Sequence, residues 1–225
     1  QLNPGSNGSL ELRAAAGSVS LGGITSGTAT VVAPSITLNG PLTVAGNASL
    51  QSTAGALSTG SVTSNAGALS LTSAGSLSAG TLSAQGLVQL RASGTQITLG
   101  SISSSAGDIN VQGLGNSTGI SANGNYSAFG ALDLVTPGTL LLSNAVGNAG
   151  GAVSLSGGQG VQLFNSDLFG ASLAATSTTG DVLLSDVSVL QGNSAVSITA
   201  ANLLRIESGS EVFTSIFEDH FFSNG

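Results

Sequence analysis

Cysteine, lysine and tryptophan are all absent from this 225-residue chain, and histidine and tyrosine occur once each. Without cysteine there are no disulfide staples and no thiolate metal sites. That absence suits either a cytosolic protein or an exported one that crosses membranes unfolded. The only cations are Arg13, Arg91 and Arg205, set against ten carboxylates for a formal net charge of −7. Nucleic-acid binding is excluded as an expectation, because neutralising phosphates needs a basic patch that three scattered arginines cannot make. An anionic membrane surface is disfavoured for the same reason. No apolar run approaches the ~18 residues of a membrane span, so no membrane insertion is expected. The opening "QLNPGSNGSL" shows no basic region followed by an apolar stretch. Neither end resembles a natural terminus, and the chain is expected to be a piece of a longer protein. Proline is scarce at 4 residues and no G-X-Y triplet runs through the 34 glycines, which removes collagen.

What is present is 40% hydrophobic content with only 6% charge, and Leu, Ile and Val are not depleted. Such a chain buries a core rather than remaining disordered. The stretch "AGALSLTSAGSLSAGTLSAQG", Ala66 to Gly86, shows how. Leu69 and Leu71 alternate with small residues, then Leu77 and Leu82 follow after glycine-containing corners, which is a strand beat and not a helical one. The same small–apolar–small unit recurs at Val19, Ile36, Leu57, Leu77, Ile97, Ile120, Leu140, Val161, Val182 and Leu203, in steps of 17 to 23 residues. A second anchor precedes each of these, at Leu12, Val31, Leu50, Leu71, Leu90, Val111, Leu134, Leu155, Ala175 and Ile198. A third follows in the clearest repeats, at Ile24, Val62, Leu82, Ile102 and Val187.

Three short strands and three corners in about 20 residues describe one turn of an all-β, right-handed parallel β-helix of about ten triangular coils. At ~4.8 Å per coil the stack is roughly 45 to 50 Å long. The anchors point into one apolar column, and the flanking Ser, Thr, Asn and Gln are expected to face solvent. Glycine and asparagine at "LGG" (Leu21 to Gly23), "LNG" (Leu38 to Gly40) and "ANGN" (Ala122 to Asn125) are expected to supply positive φ at corners. A β-sandwich lacks support in hairpin signals and large aromatics, and helices are discouraged by the Gly, Ser and Thr content.

The forms "SLELRAAAGSVSLGGITSG" (Ser9 to Gly27), "LVQLRASGTQITLGSISSSAG" (Leu87 to Gly107) and "ALDLVTPGTLLLSNAVGNAG" (Ala131 to Gly150) resemble the shaft repeats of filamentous haemagglutinin-like exoproteins. That family is exported by two-partner secretion and includes adhesins and the stalks of contact-dependent inhibition toxins. The resemblance covers Ser9 to about Ser210. It implies a bacterial protein, secreted or held at the cell surface. It also implies an outer-membrane two-partner secretion transporter as partner during export, and a host or bacterial cell-surface glycan or receptor as target. The asparagine-containing motifs of the family's secretion domain are reduced to "NPGSNG" at Asn3 to Gly8, so the piece reads as shaft.

No catalytic, cofactor-binding or metal-ligating set is expected. Some β-helices are polysaccharide lyases or hydrolases that gather carboxylates and cations on one face. The best pair here, Asp181 and Asp186, flanks "VLL" and falls near opposite corners of one coil. Glu218, Asp219 and His220 adjoin, but metal sites need three or four converging ligands and no second His or Cys exists. Arg13 and Arg91 sit at matching repeat positions four coils apart, with Glu11 the natural partner of Arg13. The aromatics Tyr126, Phe129, Phe164 and Phe169 are the candidate ligand contacts. They form either an outward shelf for a sugar ring or a filling of the column where it widens. Phe213, Phe217, Phe221 and Phe222 concentrate in the segment 210–225, which either caps the shaft of residues 1–209 or begins a further coil.

Overall fold

The computed structural model describes residues 5–214. These residues form one continuous parallel β-solenoid with no helix among them. Each coil crosses three faces. The first carries strands such as Ser35–Leu38, Gln96–Leu99 and Gly160–Phe164. The second carries Leu42–Val44 and Ile102–Ser104, and the third carries Ala48–Ser52, Leu69–Ser73 and Val88–Ala92. Some strands run on through a corner, as Leu57–Ser64 and Leu77–Ala84 do between the first and second faces.

The repeat register holds coil by coil because side chains alternate across a strand, and a slip of one residue would turn the apolar set outward. On the first face Val19 pairs with Ile36, Ile36 with Leu57, Leu57 with Leu77, Leu77 with Ile97, and Ile97 with Ile120. The ladder continues through Leu140, Val161 and Val182. The third face reproduces the second set of anchors from Leu12 through Val31, Leu50 and Leu71 to Ala175 and Ile198. Most of these side chains are fully buried in a single apolar column. Each buried Leu, Ile or Val contributes about 1.5–3 kcal/mol of hydrophobic stabilisation.

Two anchors are displaced from their sequence-predicted positions. At the last rung Val182 pairs with Leu204 and not with Leu203, so Leu204 continues the inward line, 44% exposed at this end of the stack, and Leu203 is 52% exposed. Val187 is 61% exposed, and the inward residue of its coil is Leu190, in line with Leu168. The cause is local. Asp186 and Val187 both adopt positive φ, so the corner takes extra residues before the next strand starts at Val189. The second face also gains members: Leu42, Tyr126, Gly147, Leu168 and Val212 continue the line of Ile24, Val62, Leu82 and Ile102. Because Val212 follows Leu190 in that line, Glu211–Thr214 extends the solenoid. The remainder of the aromatic segment, with Phe217, Phe221, Phe222 and the cluster Glu218, Asp219 and His220, lies outside the described residues.

The small polar residues do not all face solvent. Ser26, Ser52, Ser64, Ser73, Ser104, Thr118, Thr136, Ser166, Ser177, Ser185 and Ser188 are buried, mostly at the ends of inward-facing runs. Their hydroxyls satisfy carbonyls and amides at corners, where the ladder pattern breaks and a backbone group buried without a partner would cost about 1–3 kcal/mol. Ser73 Oγ lies 3.1 Å from the Gly55 carbonyl of the coil before it and 3.0 Å from that of Ser76. Between the first and second faces, Ala145 N–H donates to Ser166 Oγ, Ser166 N–H to Ser188 Oγ and Ser188 N–H to Ser210 Oγ, each at 3.2 Å. These serines form an internal ladder parallel to the apolar one.

Most corner glycines are not required for positive φ. In the three quoted corners only Gly124 has it, at 88°. The usual reason is close approach of the neighbouring coil: a Cβ on Gly94 would sit 2.3 Å from the carbonyl carbon of Gly75. At one corner line between the first and second faces the left-handed position is taken by asparagines and an aspartate that follow one another up the stack, Asn144, Asn165 and Asp186. These side chains tolerate that conformation, and Asn165 Nδ2 donates to Asn144 Oδ1 at 2.8 Å.

Candidate binding faces

With the column filled by aliphatic side chains, any binding surface consists of the outward residues of the three faces and their corners. The four candidate aromatics divide there. Tyr126 is 1% exposed and takes the inward position between Ile102 and Gly147, so it is not a ligand contact. Its hydroxyl donates to the Asn123 carbonyl at 3.0 Å, and burial holds the phenol well above its ordinary pKa. The other three point outward. Phe129 is 70% exposed at a corner between the second and third faces. Phe164 lies half-buried at the end of Gly160–Phe164, and Phe169 lies half-buried on the second face beside the inward Leu168. Phe169, Gln191 and Phe213 align in successive coils, placing two rings about 10 Å apart with an amide between. The four aromatics therefore do not form one shelf.

The charged groups are dispersed. Arg13 pairs with Glu11 at 2.6 Å, and Arg205 with Glu207 at 3.0 Å. Arg91 occupies the same ladder line as Arg13, four coils on through Val32, Gln51 and Thr72. Asp181 and Asp186 stand at either end of Asp181–Ser185, and Asp181 accepts hydrogen bonds from Asn202 Nδ2 at 2.7 Å and Leu203 N–H at 3.2 Å. Asp108 stands close enough to act on Asp133. Partial burial of Asp133, followed by the Asp108 charge, raises the Asp133 pKa. Asp108 in turn accepts from Ala131 N–H at 2.8 Å. Among the described residues no group of three or more His, Asp or Glu is placed to hold a metal ion. No helix among them is long and apolar enough to cross a membrane.

No protein-family model, curated protein or solved structure matches this chain.

A shallow groove of about 290 Å³ lies on the first face, crossing four adjacent coils and lined by Gln96, Ser121, Thr139, Leu141, Gln159 and Gln162, among others. It arises where glycine interrupts an outward line. Gln96 pairs with Gly119 and Thr139 with Gly160, so two of the four positions carry no side chain. Sequence reasoning missed this site because it sought aromatics and charge. The available signal was the repeat itself, since Gln96, Ser121, Thr139, Leu141 and Gln162 each adjoin a first-face anchor.

Proposed function

We propose that this chain is a shaft segment of a secreted or surface-attached bacterial exoprotein of the filamentous haemagglutinin-like, two-partner secretion class. The carrying observation is the unbroken inward register from Val19 to Leu204, whose members from Ile36 to Val182 are buried between the coils on either side. A chain built this way can fold coil after coil as it emerges from an outer-membrane transporter, and the finished rod holds a tip away from the cell. In this reading the chain is not an enzyme. Support comes from the use of its carboxylates: Asp181 and Asp108 hold neighbouring corners, and Glu11 and Glu207 pair with arginines. The targets are cell-surface glycans or receptors on a host or neighbouring cell.

Removing residues 57–76 tests this. The cut joins Ala56 to Leu77, which share the register of one coil with Leu57, so Ile36 meets Leu77 and Leu50 meets Leu90. Placed behind a two-partner secretion domain with its transporter, both the full and the shortened chain are expected at the cell surface, folded and protease-resistant. The shortened rod should lose about 4.8 Å. Unfolding on removal of this one coil, or retention of the intact chain inside the cell, overturns the reading.

A further inference from the structure

We propose that the first-face groove is a binding site for a neutral oligosaccharide lying along the stack. The groove has a composition unlike that of a site for ions or nucleotides. Its polar lining consists of carboxamides and hydroxyls, from Gln96, Gln159, Gln162, Ser121 and Thr139, and no charged side chain lines it. A phosphate or sulfate would find no cation there, and a metal ion no carboxylate. A carboxamide offers one acceptor and two donor hydrogens, and a hydroxyl both donates and accepts. That mixture matches sugar hydroxyls, which also do both.

The middle of the groove is apolar. Leu141 stands outward between Ser121 and Gln162 in the same ladder line, offering a hydrocarbon surface to the C–H face of a pyranose ring. The missing side chain at Gly119 keeps the floor low. A Cβ there would lie 3.2 Å from Gln96 Oε1 and 3.3 Å from the Thr139 carbonyl, so any larger residue would crowd the cleft and the Gln96 amide. Four coils at strand spacing span about 14 Å, room for a few sugar residues end to end. Because the strands are held by ladders on both sides, the backbone of the site is preformed and only its side chains are ordered on binding. It rests on the shaft reading and deepens it by placing an adhesive patch partway along the rod, over the four coils from Gln96 to Gln162. The coil removed in the test above, 57–76, lies outside the groove, so the two ideas fail separately.

The experiment titrates the intact chain by NMR with maltotetraose, cellotetraose and chitotetraose as neutral probes and a heparin tetrasaccharide as the charged one. At least one neutral probe is expected to bind weakly, with affinity unchanged between roughly 0.05 and 0.5 M salt, because no ion pair forms. Gln162→Ala and Gln96→Ala should each weaken it by about 5-fold or more, the loss of one hydrogen bond. Phe169→Ala, on the second face, should leave it unchanged. Melting curves on each variant confirm that the fold persists. The proposal is overturned if no neutral probe binds, if binding is confined to the heparin fragment and collapses with salt, or if Phe169→Ala abolishes binding while both glutamine variants retain it.

Discussion

Tyr126 and Gly147 hold the same inward position in successive coils, the largest fully buried side chain directly followed by no side chain at all. Gly147 leaves space that its other neighbours occupy: a Cβ there would fall 2.4 Å from Leu168 Cδ2 and 3.3 Å from Leu132 Cδ2. The rung above the ring is thus filled by leucines from neighbouring positions and leaves no room for a side chain at Gly147. Tyr126→Ala should destabilise the protein by about 3–5 kcal/mol, and Gly147→Ala by about 1–3 kcal/mol through overpacking. Tyr126→Phe, which removes the hydroxyl with its bonds to the Asn123 and Leu99 carbonyls, should cost about 1 kcal/mol. Chemical denaturation of the three variants checks the order, and a Tyr126→Ala change as mild as Phe129→Ala would contradict the inward placement.

Thr59 holds an inward position between Leu38 and Ala79, and its buried hydroxyl oxygen has no hydrogen-bond partner. Thr59→Val keeps the shape and removes the unmet group, so it should stabilise by about 1 kcal/mol. Ser73→Ala is the contrast, because its hydroxyl serves the Gly55 and Ser76 carbonyls, and it should destabilise by about 1 kcal/mol or more. Thermal melts of both, with shifts of opposite sign, are the expected result.

Leu77 is buried on the first face and Ser78 beside it is exposed. Leu77→Asp places an unpaired charge in the column and should cost at least several kcal/mol, enough to unfold neighbouring coils. Ser78→Asp should change stability by no more than about 0.5 kcal/mol. Equal loss of circular-dichroism signal in the two would show the inward register to be misplaced.

Asp133 supplies a pH test. Its pKa is raised in the fold, first by desolvation and then by Asp108. The folded state therefore holds the proton more tightly than the unfolded chain, and stability falls as pH rises through the folded pKa. Asp133→Asn should accordingly raise the melting temperature at pH 7. The gain, below about 1 kcal/mol for a half-exposed group, should vanish under about pH 3, where the carboxyl is protonated in both states. A gain that persists in acid would point to packing and not to charge.

Nearly all of the architecture could be read from residue spacing, because the inward column repeats a chemical choice every 20 or so residues and alternation in a strand leaves one consistent assignment. Ile36, Leu57, Leu77 and Ile97 are legible as inward anchors from their spacing alone. Leu203 and Val187 could not be placed correctly, since both lie near corners, where positive φ at Asp186 and Val187 changes the residue count and the alternation restarts. Chain spacing alone also left Tyr126 undecided between shelf and column, because only the pairing of Tyr126 with Ile102 in the coil below puts its ring on the inward line.

The faces were less legible than the column. Burial is a property that apolar residues announce by type, so the chain by itself determined that a parallel β-solenoid forms and which residues build its interior. Serine, threonine, glutamine and glycine carry no such mark, being as suited to a buried corner as to a wet surface. Whether Ser73 caps a carbonyl, whether Gly94 admits a neighbouring coil, and whether Gln96 and Gln162 share a groove were decided only when distant coils came within van der Waals reach. Those contacts join residues about 20 or more positions apart, and their hydrogen bonds and close approaches are set by the stacking of coils and not by local propensity.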